Sequence, residues 1–249
     1  MKRTLIYPAG ITEACVYAAQ ELRGFGIPLT DHPEPEITHI LLDVPSIRGS
    51  HTEASLTALL SMIPQSATII GGNLDHSVFS GYRRFDLLKD ADYLAQNAAI
   101  TAECALQIAA SHLKTTFADS PALILGWGRI GKCLGRLLTN LNCPTTIAAR
   151  KESDRAMIRA LGYESISYES LPHMLDHYRI LFNTVPATII SQKDLSTCQN
   201  CAKIELASQN GLIGEDVILA RGLPGTYAPI SSGKLIAQTC YRHWKEETQ

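Results

Sequence analysis

The chain has 249 residues, with 22 Lys or Arg against 24 Asp or Glu for a formal charge of -2, and 45% of its residues are apolar while 18% are charged. Near-neutral charge without a basic block lacks the electrostatic footprint that phosphate backbones and anionic membranes require, so nucleic-acid and membrane-surface roles are set aside. At about 150 residues per domain the length fits one to two domains, and a charged fraction below the roughly 25% of soluble domains points to surface covered in a homo-oligomer.

In the amino-terminal part, apolar runs at residues 4–7, 27–30, 39–43 and 68–71 alternate with helical patterns at 13–23 and 53–62, the order of a parallel sheet covered by helices. Thr52 suits the N-cap of the second of these helices. Residues 98–116 form one Ala-rich helical stretch opened by Thr101, which reads as an interdomain helix. A second alternation follows, with strands at 122–125, 145–149, 165–168, 180–183, 203–207 and 216–219, helices at 130–141 and 154–161, and a last helix at 231–245. The fold class is therefore α/β: a Rossmann-type doubly wound parallel sheet plus a smaller flavodoxin-like α/β amino-terminal domain. The expected boundaries are 1–97 for an amino-terminal substrate-side domain, 98–231 for the nucleotide-binding domain and 232–249 for a terminal helix returning to the first domain. Seven cysteines spread from Cys15 to Cys240 do not make the even framework of a small secreted fold. Neither a leader nor a spanning apolar run of about 18 residues is visible, so a reducing, cytoplasmic location is expected.

The strongest local signal is Leu123-Ile124-Leu125-Gly126-Trp127-Gly128-Arg129-Ile130-Gly131, a GxGxxG between an apolar strand and a helix. In that context the glycines serve a tight turn, the close approach of a pyrophosphate and the packing of helix on strand, and the helix amides attract the diphosphate. About 20 residues further on, where a carboxylate on the ribose would mark NAD, stand Arg150 and Lys151. Two cations suit the extra charge of a 2′-phosphate, so NADP is expected, with NAD as the alternative. Asn183, Thr184, Val185 and Pro186 close another strand and are expected along the nicotinamide half. The substrate crevice is expected from the ends of the first domain's strands, including Ser46, from Thr101, from Ser208, and from the turn Gly222, Leu223, Pro224. The start of the last helix completes it, where free amides near Ser231 and Ser232 could meet a carboxylate. Glu103, read as lying in the first turn of the interdomain helix, is the candidate base; favourable charge at a helix N-terminus is its other reading. Cys198-Gln199-Asn200-Cys201 is a CxxC without a second pair, and His173 and His177 lack the glutamate of an HExxH, so no metal is expected.

Six segments, in order and spacing, resemble the family of dipicolinate synthase A subunits: residues 97–107, the glycine fingerprint, Ala149-Arg150-Lys151, 182–187, 204–208 and 222–233. The likeness covers about 97–238, and the amino-terminal domain reads as shorter than the family's. It implies a two-domain NADP-binding oxidoreductase that works with a flavoprotein, the synthase's B subunit, to oxidise dihydrodipicolinate, a small dicarboxylate, to dipicolinate in sporulating bacteria. Two family lysines are missing: the pattern resembling Ala-Ser-Lys-Pro-Gly-Gly is here Ala207-Ser208-Gln209-Asn210-Gly211-Leu212, and that resembling Ala-Pro-Lys-Thr-Ala-Gly is Ala228-Pro229-Ile230-Ser231-Ser232-Gly233. Losing two cations near a dianion's crevice bears on the substrate rather than on the fold. Arg48, Arg83 and Arg84 are the candidate replacements. The alternatives are a dehydrogenase acting on another small carboxylate and a non-catalytic NAD(P)-binding subunit.

Overall fold

The structure, a computed structural model, describes residues 4–47 and 51–247; Arg48 lies outside them. The chain divides into two compact units, Met1–Asn97 with Pro224–Gln249, and Ala98–Leu223. In the first unit β1 (Ile6–Pro8), α1 (Glu13–Gly24), β2 (His39–Leu41), α2 (Glu53–Leu60), β3 (Thr68–Gly71) and β4 (Arg83–Asp86) follow one another. The four strands are parallel, in the order β1-β2-β3-β4. Ile6, Ile40, Leu41, Ile69 and Ile70 are buried, since a parallel sheet covered on both faces demands unbroken apolar runs. The strand expected at 27–30 shrinks to one bridge between Ile6 and Leu29. Pro28 has no N–H to extend that ladder. β4 carries no apolar signal; its Arg83 and Arg84 are exposed, as charge on an edge strand should be, because it blocks further pairing.

The first turn of α1 is fixed twice. Thr12 Oγ1 accepts from the Cys15 amide at 3.3 Å, and the buried Asp43 accepts from the amides of Ile11 and Thr12 at 3.0 Å each and from the Thr12 hydroxyl at 2.6 Å. Burial and the neighbouring Asp43 carboxylate push the Cys15 thiol up to about 12. Thr52 caps α2 through the Ser55 amide at 3.3 Å.

Next comes α3 (Ala91–His112), which starts well before the expected 98 because Asp90 accepts from the Tyr93 amide at 2.7 Å and so opens the helix. In the second unit β5 (Ala122–Leu125), α4 (Arg129–Asn140), β6 (Thr145–Ala148), α5 (Glu152–Ala160), β7 (Glu164–Ile166), β8 (Ile180–Asn183), α6 (Gln192–Leu195), β9 (Ala202–Glu205) and β10 (Val217–Leu219) follow in turn. Its six strands form one parallel sheet, in the order β10-β9-β8-β5-β6-β7. At the carboxyl edge, Glu205 is fully buried. Its carboxylate accepts from Asn183 Nδ2 at 2.9 Å, from the Ala207 amide at 2.9 Å, and from the amides of Gly211 and Leu212 at 2.8 and 2.7 Å. One side chain thus ties β8, β9 and the loop after β9 together.

The chain then enters α7 (Leu223–Tyr227) and α8 (Pro229–Glu247). α8 belongs to the first unit and lies against α1, backbone on backbone. A Cβ at Gly233 would stand 2.6 Å from Tyr17 Cβ, 2.7 Å from the Ala14 carbonyl oxygen and 2.8 Å from the Ala18 nitrogen. Further along, Arg242 grips Asp90 with one guanidinium nitrogen 2.8 Å from each carboxylate oxygen. Burial works against that carboxylate, yet the Tyr93 amide and Arg242 hold it below its usual range. Among the described residues no helix is long and apolar enough to cross a membrane.

Two outcomes follow from this packing. Gly233→Ala is expected to lose about 1–3 kcal/mol through overpacking against a backbone that cannot retreat, whereas Gly24→Ala, with nothing near its added methyl, is expected to be neutral or to gain up to about 1 kcal/mol; thermal unfolding of the two variants checks this. Glu205→Gln turns an NH2 group toward N–H donors and is expected to cost about 1–3 kcal/mol. Hydrogen exchange should then accelerate at Ala207, Gly211 and Leu212 before it does in β5, and unchanged exchange there would remove Glu205 from its organising role.

Candidate functional site

In the second unit the chain adds β6 and β7 on one side of β5, then crosses to add β8, β9 and β10 on the other. The carboxyl ends of β5 and β8 are therefore the point where strand order reverses, and such points open a crevice for ligands. The turn after β5 is built for close approach. Gly126 has φ +100°, and a Cβ there would meet Thr184 Oγ1 at 2.6 Å and Val185 Cγ2 at 2.7 Å; a Cβ at Gly131 would collide with the Gly126 carbonyl oxygen. At Gly128, by contrast, nothing lies within 4 Å. Gly128 is the N-cap of α4, no side chain caps the helix, and its first turn holds no acid. The positive end of a helix thus opens onto space that protein atoms leave free, which fits a diphosphate. Arg129 is exposed, Ile130 half-buried and Gly131 buried.

A cavity of about 620 Å³ adjoins this turn, with Trp127, Arg150, Lys151, Asp154, Tyr168 and Val185 in its wall. Its charge is decided by how α5 begins. Glu152, the carboxylate nearest to the expected ribose position in sequence, pairs with Arg155 and Arg159 at 2.7 Å each. The guanidinium groups of Arg159 and Arg155 hold its carboxyl below the usual range. Arg155 also donates to the carbonyl oxygens of Ala149 at 2.7 Å and Arg150 at 2.8 Å, so it braces the backbone that presents Arg150. The side chains of Arg150 and Lys151 are exposed and make no hydrogen bond or ion pair among the described residues. Tyr168, half-buried, has its phenol pushed up by burial, while Arg150 draws it down and Asp154 raises it. Trp127 packs edge-on against Tyr163 at 5.9 Å between ring centres.

Several sequence expectations are corrected. Asn183 is buried and its amide is spent on Glu205 and on the Val185 carbonyl oxygen at 3.0 Å, while its own oxygen accepts from the Val185 amide; it shapes the turn and leaves the wall to its neighbours. Thr184 lines the cavity, its hydroxyl donating to the Leu125 carbonyl oxygen at 2.7 Å; Val185, whose backbone is held by Asn183, and Pro186 line it too. Glu103 is exposed in the interior of α3, so the helix-terminus reading fails with the early start of that helix. Ser232 sits inside α8 and its amide donates to the Ala228 carbonyl oxygen at 2.9 Å. That amide is therefore not free for a carboxylate.

The remaining substrate-side residues divide between the units. In the first, Ser46 is fully buried, its hydroxyl donating to the Asp43 carbonyl oxygen at 3.0 Å and accepting from the Gly72 amide at 3.1 Å. Pro224 is buried and Ser231 exposed. In the second, Thr101 and Leu223 are buried, while Ser208 and Gly222 are exposed. Of the replacement cations, Arg84 is engaged with the Leu74 carbonyl oxygen at 2.8 Å. Sequence reasoning missed Glu205 and Arg155. An acid ending a buried apolar strand, and an arginine one turn into a helix from Glu152, were the available signals.

No family model matches the chain. In sequence it is 29% identical over 160 residues to the A subunit of dipicolinate synthase from Bacillus subtilis (strain 168), and the matched stretch takes in 61% of this chain and 54% of the relative's length. In structure it is similar to the A subunit of dipicolinate synthase from Bacillus halodurans, with a TM-score of 0.79 at 19% identity over 98% of each chain. It is also similar to a transhydrogenase from Sinorhizobium meliloti, with a TM-score of 0.72 at 12% identity over 98% of this chain and 94% of the other. At those identities the structural likeness carries the fold. The family resemblance read from six segments thus stands in an independent comparison: in sequence and in α/β fold, this chain is similar to the dipicolinate synthase A subunits.

Proposed function

We propose that this chain is the nucleotide-binding oxidoreductase component of a dipicolinate synthase, using NADP to oxidise dihydrodipicolinate to dipicolinate in partnership with the flavoprotein B subunit. The observation that carries the reading is the open, uncapped start of α4 beside Arg150 and Lys151, with Glu152 taken up by two arginines and Asp154 as the carboxylate of the cavity wall. The residues fit the cofactor. Gly126, Gly128 and the first amides of α4 hold the diphosphate; Arg150, braced by Arg155, and Lys151 hold the 2′-phosphate; Trp127, Tyr168, Val185 and Pro186 wall the groove. Bound NADP supplies the hydride acceptor, and aromatisation of the dihydropyridine ring drives the step. The chain's own part is to orient the two rings and to keep water from the crevice. The names of the relatives support the substrate.

Each charge-assisted contact to a phosphate contributes about 1.5–3 kcal/mol, or roughly 10- to 150-fold in affinity. Calorimetry on Arg150→Ser is expected to show that loss for NADP with NAD affinity kept, and equal losses for both nucleotides would refute the 2′-phosphate role. Dipicolinate added to the NADP-loaded protein is expected to bind. Absence of heat at millimolar ligand would discard the dicarboxylate while leaving the nucleotide site in place.

A further inference from the structure

Among the described residues the two sheets end in four edge strands, β1 and β4 in the first unit and β10 and β7 in the second. Three of them are guarded. β1 carries the bridge from Ile6 to Leu29, β4 begins with the exposed Arg83 and Arg84, and β7 begins with the exposed Glu164. Charge and extra pairing of this kind stop a sheet from growing at its edge. β10 has neither. It consists of Val217, Ile218 and Leu219, all apolar. Leu219 is 60% exposed, as is 53% of Ile213 in the loop leading to the strand.

The backbone of this strand is open on its outer side. Val217, Ile218 and Leu219 run parallel to Lys203, Ile204 and Glu205 of β9, and the Ala220 amide donates to the Glu205 carbonyl oxygen at 2.9 Å. Peptide groups alternate sides along a strand, so Ile218 shares the β9 side with Ala220, whereas Leu219 turns its N–H and C=O outward. Neither outward group of Leu219 has a hydrogen bond among the described residues. The Val217 amide, on the same side, makes only a long 3.4 Å bond to the Gly214 carbonyl oxygen.

The charges at the two ends of the strand are opposite, and they select the partner. Glu215 and Asp216 precede it and Arg221 follows it, all exposed. Asp216 is committed to Lys203, whereas Glu215 makes no hydrogen bond or ion pair among the described residues. Arg221 spends one guanidinium nitrogen on Asn210 Oδ1 at 2.5 Å. If two copies of this strand pair antiparallel about Ile218, Leu219 of each stands opposite Val217 of the other, and the outward N–H and C=O groups exchange bonds. The acidic end of each strand then meets the basic end of the other, while a parallel pairing would set like charges together. A two-fold interface needs a patch that is complementary to itself, and this sequence of acid, apolar strand and base is one.

We propose that β10 is the docking surface for a second copy of this chain, in a two-fold dimer whose second-unit sheets join edge to edge into one continuous sheet. It stands apart from the nucleotide reading and does not depend on it.

The test is sedimentation of the full-length protein from micromolar to near-millimolar concentration, with hydrogen exchange measured over the same range. The expected particle has twice the 27.2 kDa mass of the chain. As it forms, the Leu219 amide should exchange at least about tenfold more slowly, while the amides of the guarded edge β7 keep their rates. Leu219→Lys, which places a charge on an exposed side chain of the edge, is expected to yield monomer. Arg221→Glu should weaken the dimer at least about tenfold, and adding Glu215→Arg to it should restore the association. A wild-type protein that stays monomeric throughout overturns the proposal and leaves the edge to an extended segment of some other protein. So does a dimer in which Leu219 exchange is independent of concentration, because the second copy then sits elsewhere. A double variant that folds but fails to recover the dimer overturns the antiparallel pairing on which the choice of partner rests.

Discussion

Glu205 brings a carboxylate into the protein at the end of β9, and because every partner on it is an N–H donor, its place is decided by backbone and amide geometry rather than by a cation. Such an acceptor would be costly to bury if any of those bonds were missing. The consequences run along the edge of the sheet. Glu205 fixes Asn183, Asn183 fixes the turn at Val185, and Thr184 and Val185 press against Gly126 closely enough to forbid any side chain there. The glycine turn, and with it the mouth of α4, is thus positioned from two strands away.

The same economy appears on the other side of the crevice. α5 opens with an acid that would repel a phosphate, yet Glu152 faces two arginines of its own helix. That arrangement uses up the charges of Arg155 and Arg159 locally and leaves Arg150 and Lys151 as the cations presented to the cavity. Formal charge near a site says little by itself; which cations are already engaged decides the field that a ligand meets.

The alternation of apolar runs and helical patterns made the α/β class legible in the sequence, and the strand-glycine-helix segment at 122–141 could be placed because each glycine has a geometric duty there. What was not legible has physical causes. β4 carries Arg-Arg where an apolar run was sought, since an edge strand needs none. The start of α3 depends on an Asp90 bond that propensity alone does not reveal, and misplacing it put Glu103 in a first turn. The Ser232 amide read as open because the start of α8 was set two residues late, at Ser231 instead of Pro229. Asn183 read as a ligand because it ends a strand at the crevice; its engagement with Glu205 joins residues 22 positions apart.

The packing of α8 on α1 has a further consequence, in the order in which the molecule can be made. Ala14, Tyr17 and Ala18 of α1 lie against Gly233 of a helix that follows the whole second unit in the chain. On a ribosome, the second unit has all of its sheet available while the first still waits for α8. Until α8 emerges, the apolar face of α1 is a nascent surface open to chaperones.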